Sequence, residues 1–239
     1  MRLVRAVAIA LGLACLVPAI PGVFGQMDAD RVVPGGGIFV TGWQGKIDAS
    51  SVKAGRNVND SKFSQEGNAL NLTIGPAAVY WNPANTASGD YTIKGTFKEP
   101  KYMDANSHPH PYGIFIAGNK MGTDQMSLVY CTAYGNGTFI VRGFTPVSTA
   151  TPQGTFRVGG NQPQANASVH KAGADNSVTQ DIEFGVKDGK ATCSINGTVV
   201  ATYDKSELVG AGKLEALDGV YGIRTSHNVD VVVTGFGKK

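Results

Sequence analysis

Four things are scarce or missing in this 239-residue chain, and each narrows its function. Helical periodicity is nearly absent, which points away from bundles and from α/β layering. No unit repeats at solenoid or propeller period. No long run of like charge occurs; a polyanion reader wants a concentrated basic face, so nucleic acid is not an expected partner. Catalytic signatures are missing too. There is no Gly-x-Ser-x-Gly elbow, no glycine-rich phosphate loop opening a helix and no dinucleotide fingerprint.

Cysteine is sparse, at three residues. Cys15 lies in a segment that reads as an export signal. Arg2 and Arg5 form its basic start, residues 6–17 its apolar stretch, and Pro18 and Pro21 break the run. That run is shorter than the ~20 apolar residues a membrane span needs. Cleavage is expected after Gly25. It would remove two of 21 basic residues, leaving 19 against 18 acidic ones, a net charge near +1. The expected location is periplasmic or extracellular, with no membrane anchor after cleavage. Cys131 and Cys193 remain, and two cysteines in an exported chain invite a bridge.

Glycine, by contrast, is plentiful at 32 residues, as tight turns demand. Residues 26–37 hold Pro34 and three consecutive glycines and read as a flexible lead-in. One domain is expected over residues 38–239. Its strands are expected at 38–40, 70–74, 77–81, 91–97 and 113–117, with Asn82-Pro83 ending the third. Residues 48–60 and 98–111 read as loops. Residues 126–144 read as a hairpin about Asn136-Gly137, a pair suited to a type I′ turn. A two-residue turn there sets Cys131 opposite Arg142. Residues 145–178 read as a long polar connection with one short strand at 155–158; such loops are often functional. Residues 205–217 have room for one helical turn.

The closing third is better determined. A turn at Asp188-Gly189 pairs Val186 with Ala191, Phe184 with Cys193 and Ile182 with Ile195. A turn at Asn196-Gly197 pairs Cys193 with Val200. Cross-strand partners share a face. One face therefore carries Ile182, Phe184, Val186, Ala191, Cys193, Ile195 and Val200; the other carries Asp181, Glu183, Lys187, Thr192 and Ser194. Cys193 belongs in the core, while Cys131, facing Arg142, points elsewhere. A bridge and two separate thiols both stay open.

The order strand, Asp-Gly, strand, Ile195-Asn196-Gly197, strand, then Gly219-Val-Tyr-Gly-Ile-Arg224 and residues 229–236 resembles the end of concanavalin A-like jelly rolls. Within that superfamily it is similar to bacterial laminin G-like and 3-keto-disaccharide hydrolase-like domains. Residues 88–97, 112–118 and 135–142 look like their earlier strands. The resemblance implies an all-β, two-sheet antiparallel sandwich, an exported module that binds carbohydrate or cell-envelope glycan without catalysis. Two alternatives accompany it: a glycoside-processing hydrolase of the 3-keto-disaccharide type, and an envelope protein–protein interaction domain.

Residue chemistry offers modest support for a site. Glycosidases need two carboxylates flanking the scissile bond. Asp181 and Glu183 share a face, but that face is the wet one, so no catalytic residue is assigned. Sugars stack on aromatic planes beside hydrogen-bonding side chains. The candidate clusters are Trp81 with Asn82, and Tyr102 with His108, His110 and Tyr112. His108 and His110 lack the further ligands a zinc site wants, and His170 and His227 read as isolated surface residues. Asp104, Asn106 and Asp124 form no calcium loop signature. No metal or cofactor is expected.

Overall fold

The computed structural model describes residues 28–146 and 154–239. The export segment expected over residues 1–25 lies outside them. Among the described residues, sixteen strands and two short α-helices follow one another. They are β1 (Gly37–Ile38), β2 (Gln44–Ile47), α1 (Ala49–Lys53), β3 (Lys62–Glu66), β4 (Ala69–Thr73), β5 (Ala78–Ala87), β6 (Tyr91–Glu99), β7 (Tyr112–Asn119) and β8 (Ser127–Tyr134). Then come β9 (Thr138–Phe144), β10 (Thr155–Arg157), β11 (Gln164–Ala165), β12 (Val178–Lys187), β13 (Lys190–Ile195), β14 (Thr198–Asp204), α2 (Lys205–Leu208), β15 (Gly219–Thr225) and β16 (Asp230–Lys238).

The strands form two sheets. The first runs β1-β3-β4-β16-β6-β12-β13-β14; the second runs β10-β9-β8-β7-β15-β5-β2, with β11 added on β9. Only the β1–β3 pair is parallel among these pairings. Period-2 alternation builds the core between the sheets. On β12, Val178, Gln180, Ile182, Phe184 and Val186 are buried, while Thr179, Asp181 and Lys187 are exposed. Phe184, fully buried, contributes about 2–3 kcal/mol by leaving water. Gln180 is buried with both amide heavy atoms hydrogen-bonded: its oxygen accepts from His170 N and Asn196 Nδ2, and its nitrogen donates to His170 O.

The Asp188-Gly189 hairpin has the expected register, with Phe184 opposite Cys193 and Ile182 opposite Ile195. Both turn residues take positive φ, as a type I′ turn requires. Beyond it a bulge between Cys193 and Ser194 shifts the β13–β14 register, so Cys193 faces Ala201 rather than Val200. Val200 accordingly sits half-buried at the core's edge.

The hairpin around Asn136 departs further from expectation. Its loop has three residues, and Tyr134, not Gly135, faces Thr138. Only Gly137 takes positive φ. The Asn136 backbone is engaged instead in a bridge to Lys171, and Gly135 O accepts from Ala172 N. A tertiary contact thus overrides the local turn preference. One residue of slip changes which side chains share a face. Cys131 now faces Val141 and is fully buried, and Tyr130 takes the place opposite Arg142. Cys131 and Cys193 form a disulfide joining the two sheets through the core, with Cα atoms 6.4 Å apart.

Other expectations are corrected locally. Asn82-Pro83 does not end its strand; β5 runs on to Ala87, with a bulge in its pairing to β15. Residues 48–60 hold α1 and a 3-10 turn rather than plain loop. The first strand ends at Ile38, and Phe39 is exposed. The described part of the lead-in is tied down: Val33 N donates to Asp60 O, and Gly37 N to Ser61 O. Gly36 lies so close to Asn59 O that a Cβ would stand 1.9 Å from it. Residues 155–157 form the short strand expected in the long connection, and Phe156, Val158 and Val169 from it are buried. No helix among the described residues is long and apolar enough to cross a membrane.

Candidate functional site

The outward faces of the two sheets differ sharply in chemistry. The first sheet presents Lys94, Thr96, Lys98, Asp181 and Glu183. There Thr96 Oγ1 donates to Asp181, and Lys239 Nζ pairs with Glu183. This is an ordinary solvated face. The second sheet instead turns outward an aromatic set apart from the inter-sheet core: Val79, Trp81, Phe115, Leu128 and Tyr130, flanked by Met121, Met126, Phe144 and Val220. Register aligns them. Trp81, Gly222, Phe115, Tyr130 and Arg142 stand opposite one another across five strands. A Cβ at Gly222 would stand 2.2 Å from Tyr80 O and 2.5 Å from the Phe115 ring, so only glycine fits there.

A buried ion pair sits in this face. Arg224 Nη1 and Nη2 donate to Asp48 Oδ1 and Oδ2 at 2.6 and 2.7 Å. Asp48 occupies the N-cap of α1 yet makes no capping bond, because both its oxygens face the guanidinium. Arg224 also lies 5.4 Å from the Tyr130 ring centre and 5.0 Å from that of Phe144. Arg142 Nη2 donates to Asn161 O, while its Nε is buried and unpaired among the described residues.

The six sequence candidates are divided by this architecture. Trp81 is only 2% exposed, because the β7–β8 loop covers it near Gly122. Lys46 Nζ ties that loop down through Thr123 O and Asp124. Asn82 is half-buried beside Gly42 and accepts from Ala84 N. Tyr112 is fully buried, stacked on Phe97. Tyr102 is half-buried against Gly135. Trp81 and Tyr112 therefore offer no free ring face. Arg224, Asp48, Phe144, Tyr130 and Tyr134 all lie outside the candidate clusters read from the sequence. The strand alternation around Tyr130 carried the missing signal, but the slipped hairpin register hid it.

Behind Tyr112 lies a buried acid. Glu99 is 2% exposed, its carboxyl set against the Tyr112 hydroxyl; among the described residues neither Glu99 Oε2 nor Tyr112 Oη has an aligned hydrogen-bond partner. Burial pushes Glu99 up to about 7. The folded chain then holds a proton that the unfolded chain releases near its ordinary value of 4.5. Glu99 thus withdraws stability as pH rises from about 4.5 to about 7, by up to ~3 kcal/mol. His110 acts in the opposite sense, so the comparison must be with a variant. Glu99→Gln is expected to match the parent in urea unfolding at pH 5 and to exceed it at pH 8. An equal difference at both pH values contradicts this assignment.

His108 and His110 gain a third imidazole. His227, from the β15–β16 turn, stacks on His110 with ring centres 4.1 Å apart. His108 Nε2 and His110 Nε2 are 2.9 Å apart. Burial holds His110 down at about 4, so it is neutral at physiological pH. His170 stays exposed, as expected.

The sequence matches no protein-family model and no curated protein. Solved structures do share the fold. The carbohydrate-binding module CBM66 from Bacillus subtilis superposes with a TM-score of 0.54 at 9% identity, covering 84% of this chain and 99% of its own. A Bacteroides ovatus mixed-linkage glucan GH16 protein, in complex with a G4G4G3G product, gives 0.52 at 9%, covering 83% and 95%. The laminarinase catalytic domain from Thermotoga maritima gives 0.51 at 12%, covering 85% and 94%. At such identities the likeness concerns architecture. With two antiparallel-rich sheets packed face to face, the chain is a concanavalin A-like jelly-roll sandwich.

Proposed function

We propose that this protein is an exported, non-catalytic module that binds carbohydrate across the outward face of its second sheet. The asymmetry between the two outward faces carries the reading. Aromatic rings beside fixed, directional donors are the chemistry that holds a sugar ring, and among the described residues the outward aromatic set lies on the second sheet. The half-buried Tyr134, Phe144 and Arg142 are the reachable members; Tyr130 packs against Phe144, ring centres 5.5 Å apart, and stands opposite Arg142. Of the sequence candidates, Asn82, Tyr102 and His108 keep solvent-facing surface for a longer glycan. The strands of the second sheet contain neither Asp nor Glu, so the strand-borne carboxylate pair of a glycosidase has no counterpart there. That a structural neighbour is a carbohydrate-binding module, and that two others act on or hold glucans, agrees with this choice.

The test is a glycan array of microbial and plant oligosaccharides probed with the purified chain, with a hydrolysis assay alongside. Binding is expected without turnover. Tyr134→Ala and Arg142→Ala should each weaken it tenfold or more, about 1.4 kcal/mol, with unchanged melting. Turnover of a bound sugar would favour the hydrolase alternative. Binding indifferent to both substitutions would place the site elsewhere.

A further inference from the structure

We propose that His108, His110 and His227 form a binding site for a divalent transition-metal ion, Zn²⁺ foremost, at the end of the sandwich where the 98–111 loop meets the β15–β16 turn. One ligand atom from each ring lies within 4.8 Å of the others. Three chain segments meet here, and their placement is fixed independently of the rings. Asn228 Nδ2 donates to Ala29 O, Asn228 Oδ1 accepts from Arg31 N, and Asn228 O accepts from Asn106 Nδ2. The N-terminal segment, the loop and the turn are thus pinned together beside the imidazoles.

The surroundings of the rings are those a metal site needs. Ligating histidines characteristically have their second nitrogen held by a carbonyl, carboxylate or hydroxyl, which sets the tautomer and aims the first. Each ring here has such a partner at Nδ1. His110 Nδ1 faces His227 O, a carbonyl that only accepts, so this nitrogen carries the proton and Nε2 keeps its lone pair. His227 Nδ1 is 2.8 Å from Asp30 Oδ1, at ion-pair distance though off the hydrogen-bond line. Asp30 is itself held by Ser51 Oγ. His108 Nδ1 meets Ser107 Oγ at 3.3 Å. Without an ion, His108 Nε2 donates to the His110 Nε2 lone pair; ion binding moves that proton to His108 Nδ1, where Ser107 Oγ can accept it, and turns both Nε2 lone pairs to the ion, with Asp30 completing a carboxylate–histidine–metal relay.

Geometry and charge fit the same ion. Two nitrogens on one tetrahedral zinc stand roughly 3.3 Å apart, since each bond is about 2.0–2.1 Å. The 2.9 Å between His108 and His110 needs only a small opening. His227 must tilt out of its stack on His110, and its side chain, 21% exposed, has solvent on one side. Asp30 and Asp28, the latter accepting from Ser107 N, supply negative charge against the cation. His108 is exposed, so a fourth position stays open to water. Imidazole donors favour zinc, copper and nickel over calcium or magnesium.

The experiment uses tag-free, chelator-treated protein titrated with ZnCl₂ against a chromophoric zinc indicator. One equivalent is expected to bind with micromolar or tighter affinity, unaffected by millimolar Ca²⁺ or Mg²⁺. His108→Ala, at an exposed position where folding is not at stake, should weaken binding at least 100-fold. Asp30→Asn, which removes no ligand, should weaken it roughly 10- to 100-fold. Near-ultraviolet circular dichroism of each variant without metal confirms that the fold is kept. No saturable binding by the parent, or binding unchanged in His108→Ala, overturns the proposal.

Discussion

Replacing Cys131 and Cys193 together by alanine is expected to lower stability by about 4 kcal/mol. The bridge closes a loop with a sequence separation of 62, and the chain-entropy relation gives that magnitude for such a loop. Position adds to it. Both residues are fully buried, one on β8 of the second sheet and one on β13 of the first, so the bond staples the sandwich through its core. For a domain of this size the melting temperature should fall by roughly 10 °C. Urea unfolding of the parent and the double variant measures it. Reducing agent should destabilise the parent and leave the variant unaffected. A difference under about 1 kcal/mol would mean that the bridge does not constrain the unfolded chain.

The Arg224–Asp48 pair should come second. Asp48→Ala strands a guanidinium that is 9% exposed between two aromatic rings. Removing one partner of a buried ion pair costs about 3–5 kcal/mol, because the other charge stays out of water. Asp48 is itself 25% exposed, which sets the expectation at the low end, about 3 kcal/mol. Replacing both residues, as Asp48→Leu with Arg224→Met, should recover most of that loss. The cost lies in the orphaned charge rather than in the pair. A double-mutant cycle read by denaturant midpoints separates the two. If the double replacement is worse than Asp48→Ala alone, the pair stabilises the fold in its own right.

Alternation and turn chemistry made the closing meander legible. Phe184 and Cys193 could be paired because Asp188-Gly189 is a local signal, and the structure keeps that pairing. The same logic failed at Asn136-Gly137, where Lys171, 35 positions on, engages the turn's backbone. No local pattern encodes that contact, and its loss reversed the face assigned to Cys131. The Asn82-Pro83 strand end failed for a related reason: proline ended a local pattern, but a bulge let β5 continue through it. Site residues suffered most. Trp81 reads as a sugar platform in isolation, and only the fold shows the β7–β8 loop over it. His227 reads as isolated because 117 positions separate it from His110. Arg224 looked like a strand end until Asp48 met it.

Amide and aromatic NMR spectra recorded while titrating in the tightest glycan from the array test the proposed sugar-binding face of the second sheet most directly. Shifts should concentrate at Tyr134, Arg142, Phe144 and their neighbours on β8 and β9, with the polar face around Thr96, Asp181 and Glu183 unmoved. Shifts confined to that polar face, or no glycan bound at all, would contradict the account.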